Sequence, residues 1–376
     1  MPTVSIVQRI LPHYRLAFFE RLHDFLEGRG VDLRLCYGQE QPGDRPGTVE
    51  FAGGWARRVR NRYLFDGGAK SAAVWQPCLR ELMQSDLVIV EHASRLLINY
   101  PLALLSRLGG ARLALWGHGA NLQAGSRRAL ADRVRDAQVH GAHWWFAYTA
   151  LSARLVGSAG FPVERITVVN NSIDTAALAA AVASTPAPAR EALRRELDLT
   201  EGAVGIFCGR LVAEKRLDLL RDACERVHAR RAGFRLIVVG DGPCEAEVRR
   251  MARECAWVRF VGAKYGEELA PLLAVSDFML MPGLVGLVIV DSFAAGVPLI
   301  TTDHRRHSPE IEYLRHGENA LVTGEHADTL AGEIVALMDC RDKLLRLRSG
   351  CQASAREYTL ERMVERFSAG VIAALA

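Results

Sequence analysis

Along most of the chain, short apolar runs alternate with longer stretches whose apolar residues recur every three or four positions. The short runs have the length and β-branched content of buried strands, and the longer ones carry the single apolar stripe of amphipathic helices. In the first half this pattern predicts strands at 4–8, 32–37, 87–90, 112–116, 144–148 and 166–169. Helices are expected between them, for example at 15–27 and 127–139. The pattern restarts with predicted strands at 204–208, 235–239, 258–261 and 278–281, separated by helices at 216–230, 244–255 and 266–273, and the chain reads as helical beyond Glu325. Strand and helix in alternation imply parallel sheets covered by helices on both faces. The fold class is therefore α/β, with two successive doubly wound units.

Residues 38–68, rich in Gly, Arg and Pro, break the alternation and read as an irregular excursion. An Ala/Ser/Thr/Pro-dominated stretch, Ala176 to Arg190, marks the connection between the halves. The expected division is a domain at 1–180, a linker at 181–200, a second domain at 201–355, and a last helix at 356–376 for which a return to the first domain is one option.

Composition narrows the picture. A chain of 376 residues, 49% apolar and 24% charged, has the make-up of a two-domain globular protein. Its eight cysteines form no CxxC pair or Cys/His metal cluster, and no signal peptide precedes the first strand, so reduced thiols and a cytoplasmic location are expected. The most apolar region of the first half, Leu96 to Leu108, is interrupted by Pro101 and Arg107 and is too short to span a bilayer. Net charge is only +4, but residues 1–180 hold 21 basic against 15 acidic side chains, and 20 of those 21 are arginine. They crowd at Arg57, Arg58, Arg60 and Arg62 and at Arg127, Arg128, Arg133 and Arg135. Peripheral contact with anionic lipid at the inner membrane face is one reading of this bias, and solvated helix faces are the other. Nucleic acid is not an expected partner, because no aromatic interleaving accompanies the arginines and the pI of about 8.7 is modest.

Ligands of open α/β sheets bind beyond the carboxyl ends of the strands, so the residues just after each predicted strand carry the candidate chemistry. After 278–281, Pro282 opens a glycine-containing turn, a short helix follows with Asp291 on its second turn, and Gly-Val-Pro stops it. Backbone N–H groups at such a helix start favour an anion, and Asp291 is placed to accept hydrogen bonds from vicinal hydroxyls. Phosphate beside ribose is the chemistry of a nucleotide. An ordinary strand–turn–helix has the same local pattern. After 204–208 comes Cys-Gly-Arg-Leu-Val-Ala-Glu-Lys-Arg, where Gly209 permits a close turn and Arg210 and Lys215 bracket a loop. Two cations so placed can converge on one diphosphate, arginine as a fork and lysine as a movable point charge. A helix start with incidental basic residues is the alternative. Gly240-Asp241-Gly242-Pro243 reads as a structural turn.

In the first half, His118 follows a strand between two glycines that leave its imidazole accessible; capping or core packing is the other reading. His13 and Arg15 follow the first strand, and Glu91 and His92 follow the strand at 87–90; all four are candidate ligand contacts, as is Asn121, and a structural role for His13 and Arg15 is the alternative. Glu310, after Pro309, stands at an expected helix start.

Read together, GRLVAEKRLDLL, VVGDGP, VRFVG, SDFMLMPG, GLVGLVIVDSFAAGVPLITT and SPEIEYLRHGENALV stand in the order of family 4 glycosyltransferases of the GT-B fold, which the chain resembles over residues 200–325. The first half is similar more loosely, through ILPHYR, LWGHGAN and VVNNSID. The resemblance implies two Rossmann-like domains facing each other across a cleft. It implies metal-independent transfer of a sugar, with retention, from a nucleotide-diphosphate sugar (UDP in preference to GDP) and without a cofactor. The acceptor would be a glycan or lipid-linked molecule of bacterial surface polysaccharide or lipopolysaccharide synthesis. Arg210 and Lys215 would hold the diphosphate, His118 the donor sugar, Gly209, Gly286, Leu287 and Val288 the phosphate and sugar through backbone, and Val261, Gly262 and Ala263 the base. His13, Arg15, Glu91, His92 and Asn121 would lie on the acceptor side. The chain departs from the family in two respects, one being that Pro12-His13-Tyr14-Arg15 stands where many relatives have a glycine-rich loop. Where relatives carry two glutamates eight positions apart, this chain has Gly283 and Asp291. Aspartate can still bind a ribose, but glycine cannot contact the donor sugar through a side chain. A GT-B nucleotide-sugar epimerase and a non-catalytic nucleotide-sugar-binding protein are the alternatives to a transferase.

Overall fold

The computed structural model describes residues 1–41, 49–51, 53–64, 73–119, 141–199 and 202–376. It divides the chain into two units: residues 1–174 with 360–376, and residues 175–359.

The first unit is built on a parallel sheet whose strands are β1 (Thr3–Gln8), β2 (Asp32–Gly38), β3 (Ala56–Val59), β6 (Leu87–Glu91), β7 (Arg112–Gly117), β8 (Trp144–Ala147) and β9 (Ile166–Val168). Their spatial order is β3-β2-β1-β6-β7-β8-β9, and a separate antiparallel pair joins β4 (Arg62–Leu64) to β5 (Ala73–Trp75). The region expected to be irregular, 38–68, thus supplies an edge strand and half of a hairpin. Successive residues of the central strands point to opposite faces, and the core divides accordingly. Val4, Ile6, Leu33, Leu35, Leu87, Ile89, Ala114 and Trp116 pack on one face, beneath the helices Leu16–Glu27 and Leu360–Leu375. Val7, Cys36, Val88, Val90, Leu113, Leu115 and Trp145 pack on the other, against Leu82, Leu102 and Val156 from three further helices. Because both faces are covered, these strands read as near-continuous apolar runs rather than as alternating ones.

The second unit has a six-stranded parallel sheet: β10 (Val204–Cys208), β11 (Arg235–Val239), β12 (Val258–Phe260), β13 (Phe278–Met281), β14 (Leu299–Thr302) and β15 (Ala320–Thr323), in the order β12-β11-β10-β13-β14-β15. In each sheet the chain first winds outward one way (β1 to β3, β10 to β12) and then returns to the other side of its first strand. The reversal falls between β1 and β6 in one unit and between β10 and β13 in the other. At such a switch point the loops leave the strand ends in opposite directions and open a crevice.

Residues 176–196 are two helices, Ala176–Ser184 and Ala187–Glu196, belonging to the second unit; the 181–200 stretch expected as a linker is mostly helical. Alanine is the strongest helix former and proline is tolerated in a first turn, so the composition suits a helix as well as a connection. Leu178 is buried in the core of this unit. The second unit ends at Thr359, and Leu360–Ala376 belongs to the first. Phe367 from that last segment stacks on Phe146 at 4.3 Å and lies 5.0 Å from Trp116. Among the described residues no helix is long and apolar enough to cross a membrane.

Candidate functional site

In the second unit the loops after β10, β11 and β12 are laced together by backbone hydrogen bonds. Gly209 donates to Val239, Leu211 to Asp241, Gly240 to Gly262, and Cys244 to Leu211, at 2.7–3.1 Å. Gly240, at φ +148°, could carry no side chain, since a Cβ would lie 1.9 Å from the carbonyl oxygen of Gly209. The Gly-Asp-Gly turn is therefore structural and sets the shape of the Gly209–Arg210 loop. The same lacing draws Val261, Gly262 and Ala263 up to that loop.

The loops on either side of the switch point meet at Lys215. Its Nζ donates to the carbonyl oxygen of Leu284 at 2.6 Å, while the N–H of Leu284 donates to the carbonyl of Glu214 at 2.8 Å. A Cβ on Gly283 would lie 2.3 Å from the Glu214 oxygen and 2.4 Å from the Lys215 carbonyl carbon. Gly283 is a packing requirement: the loop after β13 lies flush on the short 3-10 helix Ala213–Lys215. Burial lowers the Lys215 ammonium to about 8. Arg210 stands exposed on the same loop.

The loop after β13 is held from its other side by groups that strand-end reasoning did not single out. His307 Nδ1 accepts from the N–H of Val285 at 3.1 Å, and Nε2 meets the carbonyl oxygen of Thr302 at 2.8 Å. One acceptor and one donor on the ring require neutral imidazole with its proton on Nε2. Burial lowers the His307 value accordingly. Thr301 and Thr302 donate their hydroxyls to the carbonyls of Met281 and Pro282, each at 2.7 Å. His307 lies just after β14, the kind of position from which the other candidates were drawn.

The helix Val288–Ala295 opens from this braced loop. Its first backbone bond runs from Ile289 to Gly286, so the N–H groups of Gly286, Leu287 and Val288 precede the intrahelical ladder and form the end that favours an anion. Asp291 keeps part of its surface accessible, yet protein crowds it closely enough that lost hydration pushes its carboxyl up to about 7. The charges of Asp291 and Lys215 both act on the Cys208 thiol, which burial raises to about 12. One locus thus combines a cation of tuned acidity, an exposed arginine, a helix N-terminus and a carboxylate. It can take an anion with adjacent hydroxyl donors.

In the first unit, residues from the ends of β1, β6, β7 and β8 line a cavity of about 300 Å³ at the switch point. Arg15, Glu91, His92 and His118 all contribute to it; His13 is exposed and is not among its lining residues. His118 is exposed and stands edge-on to Tyr148 at 4.4 Å. Arg15 turns inward, bonding Asn171 and lying 5.4 Å from the Trp116 ring, which gives it a tethering position in the fold. Glu310 is buried in the 3-10 helix Pro309–Tyr313 of the second unit. Asn121 and the arginines at 127, 128, 133 and 135 lie outside the described residues. Among the described residues, His23, Asp24 and Glu27 on the helix Leu16–Glu27 offer ligand atoms within 4.8 Å of one another. His23 is stacked on Trp55 at 4.2 Å, and none of the three lines the cavity.

Residues 202–340 match the family model described as "Glycosyl transferases group 1". The match lies within the second unit and takes in its loops after β10, β11 and β13. A GDP-mannose-dependent alpha-(1-6)-phosphatidylinositol monomannoside mannosyltransferase of Mycobacterium tuberculosis is 30% identical over 184 residues, covering 45% of this chain and 46% of that protein. The chain spans about half the length of the curated relatives it matches first. Among solved structures, Anabaena HepE in complex with UDP superposes with a TM-score of 0.72 at 18% identity, covering 99% of this chain and all of the other. The lipopolysaccharide outer core galactosyltransferase WaaB superposes at 0.69 and 14% identity, covering 99% of each chain. These superpositions identify the fold as GT-B, with two Rossmann-like units.

Proposed function

We propose that the chain is a glycosyltransferase that binds a nucleotide-diphosphate sugar at the switch point of its second unit. The observation that carries this reading is the meeting of Lys215 with the Leu284 loop beneath the start of the helix Val288–Ala295. Lys215 and Arg210 neutralise the diphosphate, the helix N-terminus supplies N–H donors to it, and Asp291 accepts from the ribose hydroxyls. Val261, Gly262 and Ala263 face the base. Gly283 contributes through backbone alone, so the donor sugar meets the backbone of that loop. UDP is the first base to test; GDP is the second, since the M. tuberculosis relative is GDP-mannose-dependent.

Transfer proceeds with retention and without metal or cofactor. The acceptor hydroxyl oxygen bonds the anomeric carbon on the face from which the diphosphate leaves, and a departing phosphate oxygen takes the hydroxyl proton. The chain's work is electrostatic: charge growing on the phosphate meets Lys215, Arg210 and the helix end. The acceptor is a glycan or a lipid-linked molecule of surface polysaccharide or lipopolysaccharide assembly, taken at the inner face of the membrane. Arg57 and Arg58 are ion-paired to Glu81 and Glu50, so Arg60 and Arg62 are the exposed arginines of that cluster left for anionic lipid. Flotation with anionic liposomes at low salt, lost on neutralising Arg60 and Arg62, is the expected behaviour.

Thermal-shift titration with UDP, GDP, ADP, CDP and dTDP, with and without EDTA, tests the donor site. One nucleotide should stabilise strongly and be indifferent to EDTA, and Lys215→Ala should remove the stabilisation and lower turnover by ~10²–10³-fold. No stabilisation by any nucleotide would overturn the reading.

A further inference from the structure

The loop after β14 runs His304-Arg305-Arg306-His307, and its histidines and arginines stand in opposite circumstances. Both histidines are held by hydrogen bonds. His307 clips Val285 and Thr302, and His304 Nδ1 meets Glu325 Oε2 at 3.1 Å. The two arginines between them form the tip of a turn and are exposed, with no ion pair or hydrogen bond among the described residues. Glu325 is not left over to neutralise them, because the same oxygen is also engaged by Arg216 at 3.2 Å. Asp303 is the one carboxylate in the run from β14 to His307, against two arginines.

This tip stands beside the loop after β13. The N–H of Ser308 donates to the carbonyl of Val285 at 3.0 Å, returning the bond that the Val285 N–H makes to His307. Gly283 brings no side chain, and so no negative charge, to the same loop. The diphosphate of a nucleotide sugar carries two negative charges, which Lys215 and Arg210 already match. Arg305 and Arg306 are cations beyond that count, on the loop adjoining the one whose backbone meets the sugar.

We propose that Arg305 and Arg306 bind a carboxylate on the donor sugar, so that the donor is a nucleotide-linked uronic acid rather than a neutral hexose. The inference rests on the donor reading above and names the class of sugar for that site. A planar guanidinium forks both oxygens of a carboxylate. With the run pinned at His304 and His307, less freedom is lost when the arginines engage it. A carboxylate side chain at position 283 would oppose the same ligand, and glycine does not.

The test is calorimetric titration of the full chain, at constant ionic strength, with UDP, UDP-glucose and UDP-glucuronate, and with GDP, GDP-mannose and GDP-mannuronate for a guanine site. The uronate form should bind about tenfold more tightly than the matching hexose form, and the difference should shrink as salt is raised. Both arginines are exposed, so substituting them leaves the core intact. Arg305→Gln with Arg306→Gln should abolish the preference, and Arg305→Glu with Arg306→Glu should reverse it. A structural role for the arginines would instead weaken the nucleoside diphosphate, hexose and uronate forms alike. Arg195→Ala, on an exposed helix position in the same unit, removes a charge elsewhere and should leave the preference as it is. Nucleotide binding without a preference for the uronate form would overturn this inference and leave the donor reading standing. Binding of none of the six would overturn the donor reading and this inference with it. A preference that survives in the double glutamine variant would also overturn it, by placing the carboxylate on other residues.

Discussion

At Gly283 a single missing side chain decides the form of the loop after β13. A glutamate, expected there from the resemblance, has no room, because a Cβ would strike the backbone of Glu214 and Lys215. Gly283→Glu is therefore expected to lose function rather than restore it. The 3-10 helix Ala213–Lys215 must shift, at ~2–4 kcal/mol of stability, and nucleotide stabilisation should fall in the same thermal-shift assay. Asp291 presents the opposite case, a side chain kept at a cost. Its carboxyl is raised from 3.8 to about 7 by lost hydration, so its ionised form is disfavoured in the fold, and stability declines as pH rises through that window. Asp291→Asn should raise ligand-free stability at pH 8 by on the order of 1–2 kcal/mol, read as a higher melting point, while weakening nucleotide binding. The wild-type affinity for nucleotide should itself be bell-shaped. It falls below pH about 7 as Asp291 protonates and above about 8 as Lys215 loses its proton; titrations across pH 5.5–9.5, or about that range, check both limbs.

At the scale of elements, the loop after β13 is gripped between two others. Lys215 and Glu214 hold it from the β10 side, and His307 clips it from the β14 side. His307→Ala would leave the Val285 N–H and the Thr302 carbonyl without their buried partner, at ~2–3 kcal/mol, and should lower nucleotide affinity without touching the ligand. The pH signature has a definite sign. His307 is depressed below its ordinary 6.5 in the fold, so the unfolded chain binds the extra proton first. The clip's contribution is complete above about pH 6.5 and is lost as pH falls from there toward the depressed folded value. Melting of wild type against His307→Ala from about pH 8 to 5 should show the difference between them shrinking as the solution is acidified.

At the scale of the whole molecule, the chain crosses between its units twice, near residues 174 and 359, and its last helix completes the first core. Phe367 is fully buried among Phe146, Trp116 and Phe18. Phe367→Ala should cost ~3–5 kcal/mol, and calorimetry should show the loss in the transition of the first unit while that of the second stays in place.

The sequence by itself determined the α/β alternation, most strand positions to within a residue or two, and the order of motifs in the second half. These follow from local periodicity and from residue types whose backbone preferences act over a few positions. It also marked Lys215, Gly209 and Asp291, because strand ends are where open α/β sheets bind ligands. What only the tertiary structure decided depends on which loops become neighbours. Parallel strands adjacent in a sheet are far apart in sequence, so the clash that requires Gly283 and the His307 clip on Val285 leave no local pattern. The placing of Arg305 and Arg306 beside the loop after β13 arises in the same way, from the pairing of β13 with β14. The 176–196 stretch differs in kind: its alanines and prolines suit both a linker and a helix, and the burial of Leu178 in the second core accompanies the helix.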